Sequence, residues 1–189
     1  MMTNLSWKNI WDRKSSCDET DRLLINGWEQ TNVDMQFVSS RIKNIISLKK
    51  TDSVLEVGCG SGALSKYFID ECNYFGCDYS SCMVEKYKQL TSPDCVVSEA
   101  NKLPFEDNSF DKVIVFSSFQ YFPSYKYADE CIAELFRVSK QSVFLGDLAY
   151  ESHDDSHLLF TPDKFSDWEV SAGFVEGRPR FNVYVEMDK

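Results

Sequence analysis

The stretch Val54-Leu55-Glu56-Val57-Gly58-Cys59-Gly60-Ser61-Gly62-Ala63-Leu64-Ser65 decides the fold. Ser53–Val57 is an apolar run broken only by Glu56 and stopped by a glycine, which reads as a buried strand. Gly58–Gly62 reads as a turn. Ala63–Cys72 carries Leu64, Tyr67, Phe68 and Ile69, a pattern that predicts a helix. Strand, glycine turn and helix in that order open a βαβ fold.

The alternation continues downstream. Asn73–Cys77 reads as a second strand, and Ser80–Leu90 as a helix with Met83, Val84 and Tyr87 on one side. Cys95–Ser98, Phe110–Phe116 and Ser142–Leu145 read as further strands, with a helix over Tyr127–Ser139. Thr161-Pro162-Asp163 places a capping residue before a proline, which predicts a helix to about Ala172, closed by Gly173. Phe181–Met187 alternates as a last strand. Upstream, Val33, Phe37, Val38, Ile42, Ile45 and Ile46 share one face of a 3.6-residue period, so residues 1–50 read as helical. The fold class is α/β, a doubly wound, mostly parallel sheet. In such sheets ligands bind beyond the carboxyl ends of the strands. Those ends are Glu56–Gly62, Asp78–Ser80, Glu99–Asn101, Ser117–Phe122 and Asp147–His157.

With 189 residues, 43% hydrophobic and 26% charged, the chain has the composition of one globular domain with a short appendage. No stretch approaches about 18 uninterrupted apolar residues, and no basic-then-apolar leader opens the chain, so neither a membrane span nor a secretory signal is expected. The seven cysteines form no C-x-x-C pair and no zinc spacing, which suits reduced thiols and a cytoplasmic location. Thirty acidic against twenty basic residues give a net charge of −10. That surface repels phosphate backbones and favours a small-molecule partner over nucleic acid.

The glycine loop exposes backbone to a ligand at a helix N-terminus. Gly58, Gly60 and Ala63 also satisfy the dinucleotide pattern, so an NAD(P)-dependent oxidoreductase has to be weighed. Glu56, at the end of the first strand, would repel a pyrophosphate lying over the loop. It suits an ammonium group and a ribose, or else bonds a neighbouring loop amide. Asp78 ends the second strand, where a carboxylate can take both ribose hydroxyls or cap the next helix.

The combination resembles the class I S-adenosylmethionine-dependent methyltransferases. The resemblance rests on VLEVGCGSGALS (Val54–Ser65), GCDYS (Gly76–Ser80) and SEANKLPFEDNSFDKVIVFSSFQYF (Ser98–Phe122), in the family's order and spacing. It implies a seven-stranded sheet and S-adenosylmethionine as cofactor. It also implies an N-terminal cap over residues 1–50 on a cofactor-binding domain spanning 51–189. By resemblance, Gly58, Cys59 and Gly60 would approach the methionine part and Glu56 its amino group. Asp78 would hold the ribose, Tyr79 and Met83 would flank adenine, and Glu99 and the Ala100 amide would bond its edge. Ser117 would touch the methionine moiety. Glu99 stands where the family more often has Asp.

Acceptor recognition is expected from the additions to this core. Trp7, Trp11 and Trp28 lie in the N-terminal segment, and Phe119, Tyr121, Phe122, Tyr125 and Tyr127 follow the fourth strand. Some of these are expected in the core and some around the pocket, with Trp11 as the candidate lid residue beside the cofactor. Phe116-Ser117-Ser118-Phe119 replaces the Asn-Pro-Pro-Tyr type of sequence that in this family goes with planar nitrogen targets. The expectation is methyl transfer to an oxygen or nitrogen of a small metabolite. The alternatives are a protein or nucleic-acid target and the oxidoreductase. Gln120 and Tyr121 are candidates to orient the acceptor, and His153 and His157 to take its proton. The acids Asp147, Asp154 and Asp155 crowd one segment rather than converge, so no metal site is expected.

Overall fold

A computed structural model of the chain describes residues 4–16, 19–29, 31–92, 94–152, 154 and 156–187. His153, Asp155 and Cys17 lie outside the described residues. Helices α1 (Asn4–Ser15), α2 (Arg22–Ile25) and α3 (Met35–Ile45) precede the sheet. The strands are β1 (Ser53–Val57), β2 (Asn73–Asp78), β3 (Cys95–Val97), β4 (Phe110–Phe116), β5 (Ser139–Ala149), β6 (Glu169–Ala172) and β7 (Arg180–Glu186). Helix α4 (Ser81–Leu90) joins β2 to β3, and α5 (Tyr125–Val138) joins β4 to β5.

The sheet order is β3-β2-β1-β4-β5-β7-β6. Neighbours from β3 to β5 pair in parallel, and β7 runs antiparallel to both β5 and β6. Side chains alternate between the faces of each strand. Leu55 and Val57 therefore join Val113, Val115, Val143 and Leu145 in one core, against Leu135 and Val138 of α5. Val54, Ile114, Phe116 and Phe144 face the other way, against Val38 and Ile42 of α3 and Leu64 and Phe68. Glu56 pairs with Gly76 and Ile114, so its carboxylate enters this second core.

Three local expectations change. Ala63–Cys72 is a run of turns with a 3-10 turn at Ser65–Tyr67, mixing i→i−3 and i→i−4 bonds. Ser65 is fixed there because its hydroxyl donates to the buried Glu56. The helix expected over Thr161–Ala172 stops after a 3-10 turn at Pro162–Phe165, and Glu169–Ala172 is instead β6. Phe165 packs on Phe181, and β6 then pairs along β7 from Tyr184 to Phe181. That pairing with a distant segment overrides the local capping signal. β6 is thus the seventh strand. Phe37, assigned to the buried face of α3, is 50% exposed, while Met35, Val38 and Ile42 carry that face.

Candidate active site

The carboxyl ends of β1, β2, β4 and β5 open on one side of the sheet. The glycine loop hooks over β2, where the amides of Gly58 and Cys59 both donate to the Cys77 carbonyl at 2.8 and 3.1 Å. Gly58 and Gly60 adopt φ of +77° and +53°, which a side chain would strain. Asp78 is buried at the end of β2. Its Oδ2 accepts from the Gly60 amide at 3.0 Å and its Oδ1 from the Ser80 amide at 2.9 Å. The capping of α4 belongs to Ser80, whose hydroxyl accepts from the Met83 amide at 3.1 Å. Each Asp78 oxygen keeps acceptor capacity for a further donor. Burial pushes its carboxyl up to about 6, against the pull of the two amides.

A pocket of about 830 Å³, its open mouth included, lies against this edge. Among the residues named from sequence, Trp11, Gly58, Gly60, Asp78, Tyr79, Met83, Glu99, Ala100, Ser117 and Tyr121 line it. Tyr127 links two of them. Its hydroxyl donates to Glu99 at 2.6 Å and accepts from the Ala100 amide at 3.1 Å. The aromatic candidates divide. Trp28, Phe122 and Tyr127 line the pocket, Phe119 is core, and Tyr125 is 51% exposed. Trp7 is buried with its ring 4.7 Å from that of Tyr121, and Trp11 meets Tyr121 at 5.0 Å. Helix α1 is held there by Asp12, which accepts from the Ser80 hydroxyl at 2.5 Å.

The side chains of Glu56, Cys59, Gln120 and His157 do not line the pocket. Glu56 accepts from Ser65 and from the Tyr74 hydroxyl, and burial pushes its carboxyl up to about 8. Cys59 turns behind the loop to within 3.5 Å of the Cys95 sulfur. Gln120 is fully buried and donates to the carbonyl and hydroxyl of Ser117 at 3.0 and 3.2 Å. His157 stacks on Trp7 at 5.2 Å, with its Nδ1 2.6 Å from the Ser152 hydroxyl. Asp147 meets Ser117 and two arginines. Among the described residues, no group of three His, Cys, Asp or Glu is arranged to hold a metal. No described helix is long and apolar enough to cross a membrane.

Sequence reasoning missed Asn26, Ser98, Ser118 and Pro123 in the lining. Asn26 ends α2, and its side-chain oxygen accepts from the Ser61 amide and hydroxyl at 3.0 and 2.5 Å. It thus clamps the glycine loop from a segment that precedes the sheet. No local pattern announces an asparagine contact across 35 residues.

The methyltransferase domain family matches residues 55–145. The phthiotriol/phenolphthiotriol dimycocerosates methyltransferase of Mycobacterium leprae is 28% identical over 159 residues, 81% of this chain and 50% of the relative. The demethylmenaquinone methyltransferase of Staphylococcus aureus is 34% identical over 108 residues, 53% of this chain and 44% of the relative. The chain thus spans about half the length of these curated relatives. The fold is shared with phosphoethanolamine N-methyltransferase 1 of Haemonchus contortus (TM-score 0.72, 14% identity, 98% of this chain and 50% of that one). It is shared too with a structure from Methanococcus maripaludis described as a putative S-adenosyl-L-methionine-dependent methyltransferase (TM-score 0.64, 14% identity, 99% and 94% covered). Residues 55–145 thus belong to the methyltransferase domain family, and with its glycine loop, Asp78 and strand order the chain carries the features of the class I S-adenosylmethionine-dependent methyltransferases.

Proposed function

We propose that the protein transfers a methyl group from S-adenosylmethionine to an oxygen or nitrogen of a small-molecule acceptor. The observation that carries this reading is Asp78: a buried carboxylate at a strand end, held by loop amides and facing a pocket with aromatic walls. The donor set fits the cofactor. Asp78 offers acceptors to a ribose diol, and Glu99 and the Ala100 amide offer an acceptor and a donor to an adenine edge. Tyr79 and Met83 offer flat apolar contacts, and the Gly58–Gly60 backbone lets the methionine part approach. Bound there, the cofactor would supply an electrophilic methyl carbon on a sulfonium. Trp11 and Tyr121 form the wall beside it, where aromatic faces favour positive charge and exclude water. Tyr121 presents a hydroxyl that orients an acceptor atom, and His157 stands behind it, ring centroids 5.2 Å apart. Alignment in the pocket accounts for the rate, with a base needed only for a protonated acceptor. Residues 1–50 serve as a cap on the pocket, through Trp11, Asn26 and Trp28.

The oxidoreductase reading is disfavoured. Dinucleotide-binding sheets run 3-2-1-4-5-6 with all strands parallel. Here the antiparallel β7 lies between β5 and β6. The acidic chain disfavours a nucleic-acid target. Calorimetry with S-adenosylhomocysteine and with NAD tests the cofactor. Labelled methyl transfer across a metabolite panel, read by mass spectrometry, tests the activity. No binding of S-adenosylhomocysteine would sink the reading.

A further inference from the structure

A second polar cluster sits where β4 and β5 end and the antiparallel β7 begins. Two non-glycine residues there adopt positive φ: Ser117 at +55° and Asp147 at +59°. They are bonded to each other, the Ser117 hydroxyl donating to Asp147 Oδ2 at 2.7 Å. Asp147 lies in the irregular stretch of the β5–β7 ladder between Leu145 and Leu148, and its amide donates to Asn182 Oδ1 at 3.0 Å. Bulges re-aim side chains, and strained backbone of this kind concentrates at functional sites.

The cluster holds two cations and one anion. Asp147 Oδ2 lies 3.4 Å from an Arg178 nitrogen and 3.8 Å from Arg180 Nε. Arg178 is 22% exposed and lies 4.8 Å over the ring of Trp28, a pocket-lining residue. Tyr121, on the pocket wall, is close enough to feel both guanidiniums. Three buried polar atoms here make no hydrogen bond among the described residues: Arg180 Nε, Gln120 Oε1 and Asp147 Oδ1. A buried polar atom left unpaired loses its water without recovering a partner, which is costly. Set behind the pocket-lining Ser117, Tyr121 and Trp28, with two guanidiniums to one carboxylate among the described residues of a protein of net −10, this cluster describes a site prepared for a ligand.

Arg180 is fixed behind Arg178, its Nη1 donating to the carbonyls of Glu151 and Pro179 at 2.8 and 3.3 Å. We infer that Arg178, backed by the charge of Arg180, anchors the acceptor by an oxyanion, a carboxylate or a phosphate monoester. The guanidinium fork matches either oxyanion in a bidentate manner. Asp147 and Ser117 are positioning residues that set the angle of the arginines. The role as an acceptor anchor rests on the methyl-transfer reading, whereas the oxyanion site itself does not.

The test uses the full chain, with and without saturating S-adenosylhomocysteine, at constant ionic strength. Inorganic phosphate and acetate are titrated separately and followed by calorimetry and by the fluorescence of Trp28, with Trp28→Phe identifying its signal. The expected result is saturation at one site by at least one ion, with its Kd raised tenfold or more in Arg178→Gln and S-adenosylhomocysteine affinity unchanged. Phosphate alone points to a phosphate monoester, acetate alone to a carboxylate. Arg180→Lys keeps a charge in the buried position, folds without an uncompensated Asp147, and weakens the ion less. Absence of saturation by both ions, or a Kd in Arg178→Gln equal to that of the parent, overturns the anchor. If S-adenosylhomocysteine fails to bind while an ion binds at Arg178, the methyl-transfer reading falls and the oxyanion site stands.

Discussion

The two ends of the pocket are built differently. At β1 and β2 the carboxylates are paired with nearby amides and hydroxyls: both Asp78 oxygens take amides, and Glu56 takes two hydroxyls. At β4, β5 and β7 the polar groups come from residues 117 to 182, and one atom each of Gln120, Asp147 and Arg180 has no hydrogen bond among the described residues. At the first end both carboxylates are held in place before any ligand arrives, although the buried Tyr87 hydroxyl near Glu56 has no hydrogen bond among the described residues. The second is left incomplete, as suits a molecule that completes it. Conserving the cofactor half while varying the acceptor half is how one fold serves many reactions.

Perturbing the first end should abolish cofactor binding and leave the oxyanion titration intact. Gly60→Val carries the largest expected effect. A Cβ there would lie 2.3 Å from Asn26 Nδ2, at a φ that valine avoids. The clamp on Ser61 and the Gly60–Asp78 bond would both be lost. S-adenosylhomocysteine affinity should drop at least 100-fold, about 2.7 kcal/mol, with circular dichroism unchanged. Normal affinity would take the glycine loop out of the site.

Asp78→Ala should weaken the same ligand by about 1.5–3 kcal/mol, as expected for hydrogen bonds to a charged group. Its pH dependence sharpens the comparison. The folded carboxyl is raised from 3.8 to about 6, so between those values the folded state holds a proton the unfolded chain has released. Stability of the free protein therefore falls as pH rises through that window, and Glu56, raised to about 8, extends the fall. Cofactor binding needs the ionised acceptors, so affinity should climb up to about tenfold from pH 5 to 6.5. Asp78→Asn should flatten the affinity trend below pH 6 and lessen the stability slope there, leaving the part due to Glu56. Melting curves and calorimetry at matched pH read the two slopes, and slopes of the same sign would contradict the assignment.

At the second end, Tyr121→Phe should lower turnover about tenfold, the scale of one lost hydrogen bond, while S-adenosylhomocysteine affinity stays constant. A loss of cofactor affinity would move Tyr121 to the other half. Replacing His153 and His157 by Asn should flatten the rate between about pH 6 and 8 if this loop supplies a base. An unaltered profile leaves alignment as the mechanism.

The smallest effect is expected from Tyr127→Phe. The Tyr127 hydroxyl occupies the Ala100 amide and the Glu99 carboxylate that an adenine edge would claim. Its removal should raise S-adenosylhomocysteine affinity a few-fold and cost about 0.5–1.5 kcal/mol of stability. Weaker binding would make Tyr127 a cofactor contact rather than a placeholder.

What was legible follows the range of the interactions. Val54–Val57, Gly58–Gly62 and Asp78 declare themselves because apolar runs, glycine turns and strand-end acids are local patterns with local causes. Cys59 and Glu56 were placed near the ligand by resemblance, yet burial turns both side chains behind the loop. The helix expected at 161–172 became β6 because pairing with β7 outweighs a proline cap. Asn26, Arg178 and Arg180 carried no signal, and Tyr127 and Asp147 were flagged only by their place after a strand, not by the contacts they make. Their partners lie 27 to 35 residues away or farther along the chain. By itself, then, the sequence determined the α/β class, the glycine loop and the acid that follows it, since each depends on neighbours within one βαβ unit. Only the tertiary structure decided which aromatics face the pocket, what clamps the loop and where the unpaired charges gather, because those depend on which distant strand ends the sheet brings side by side.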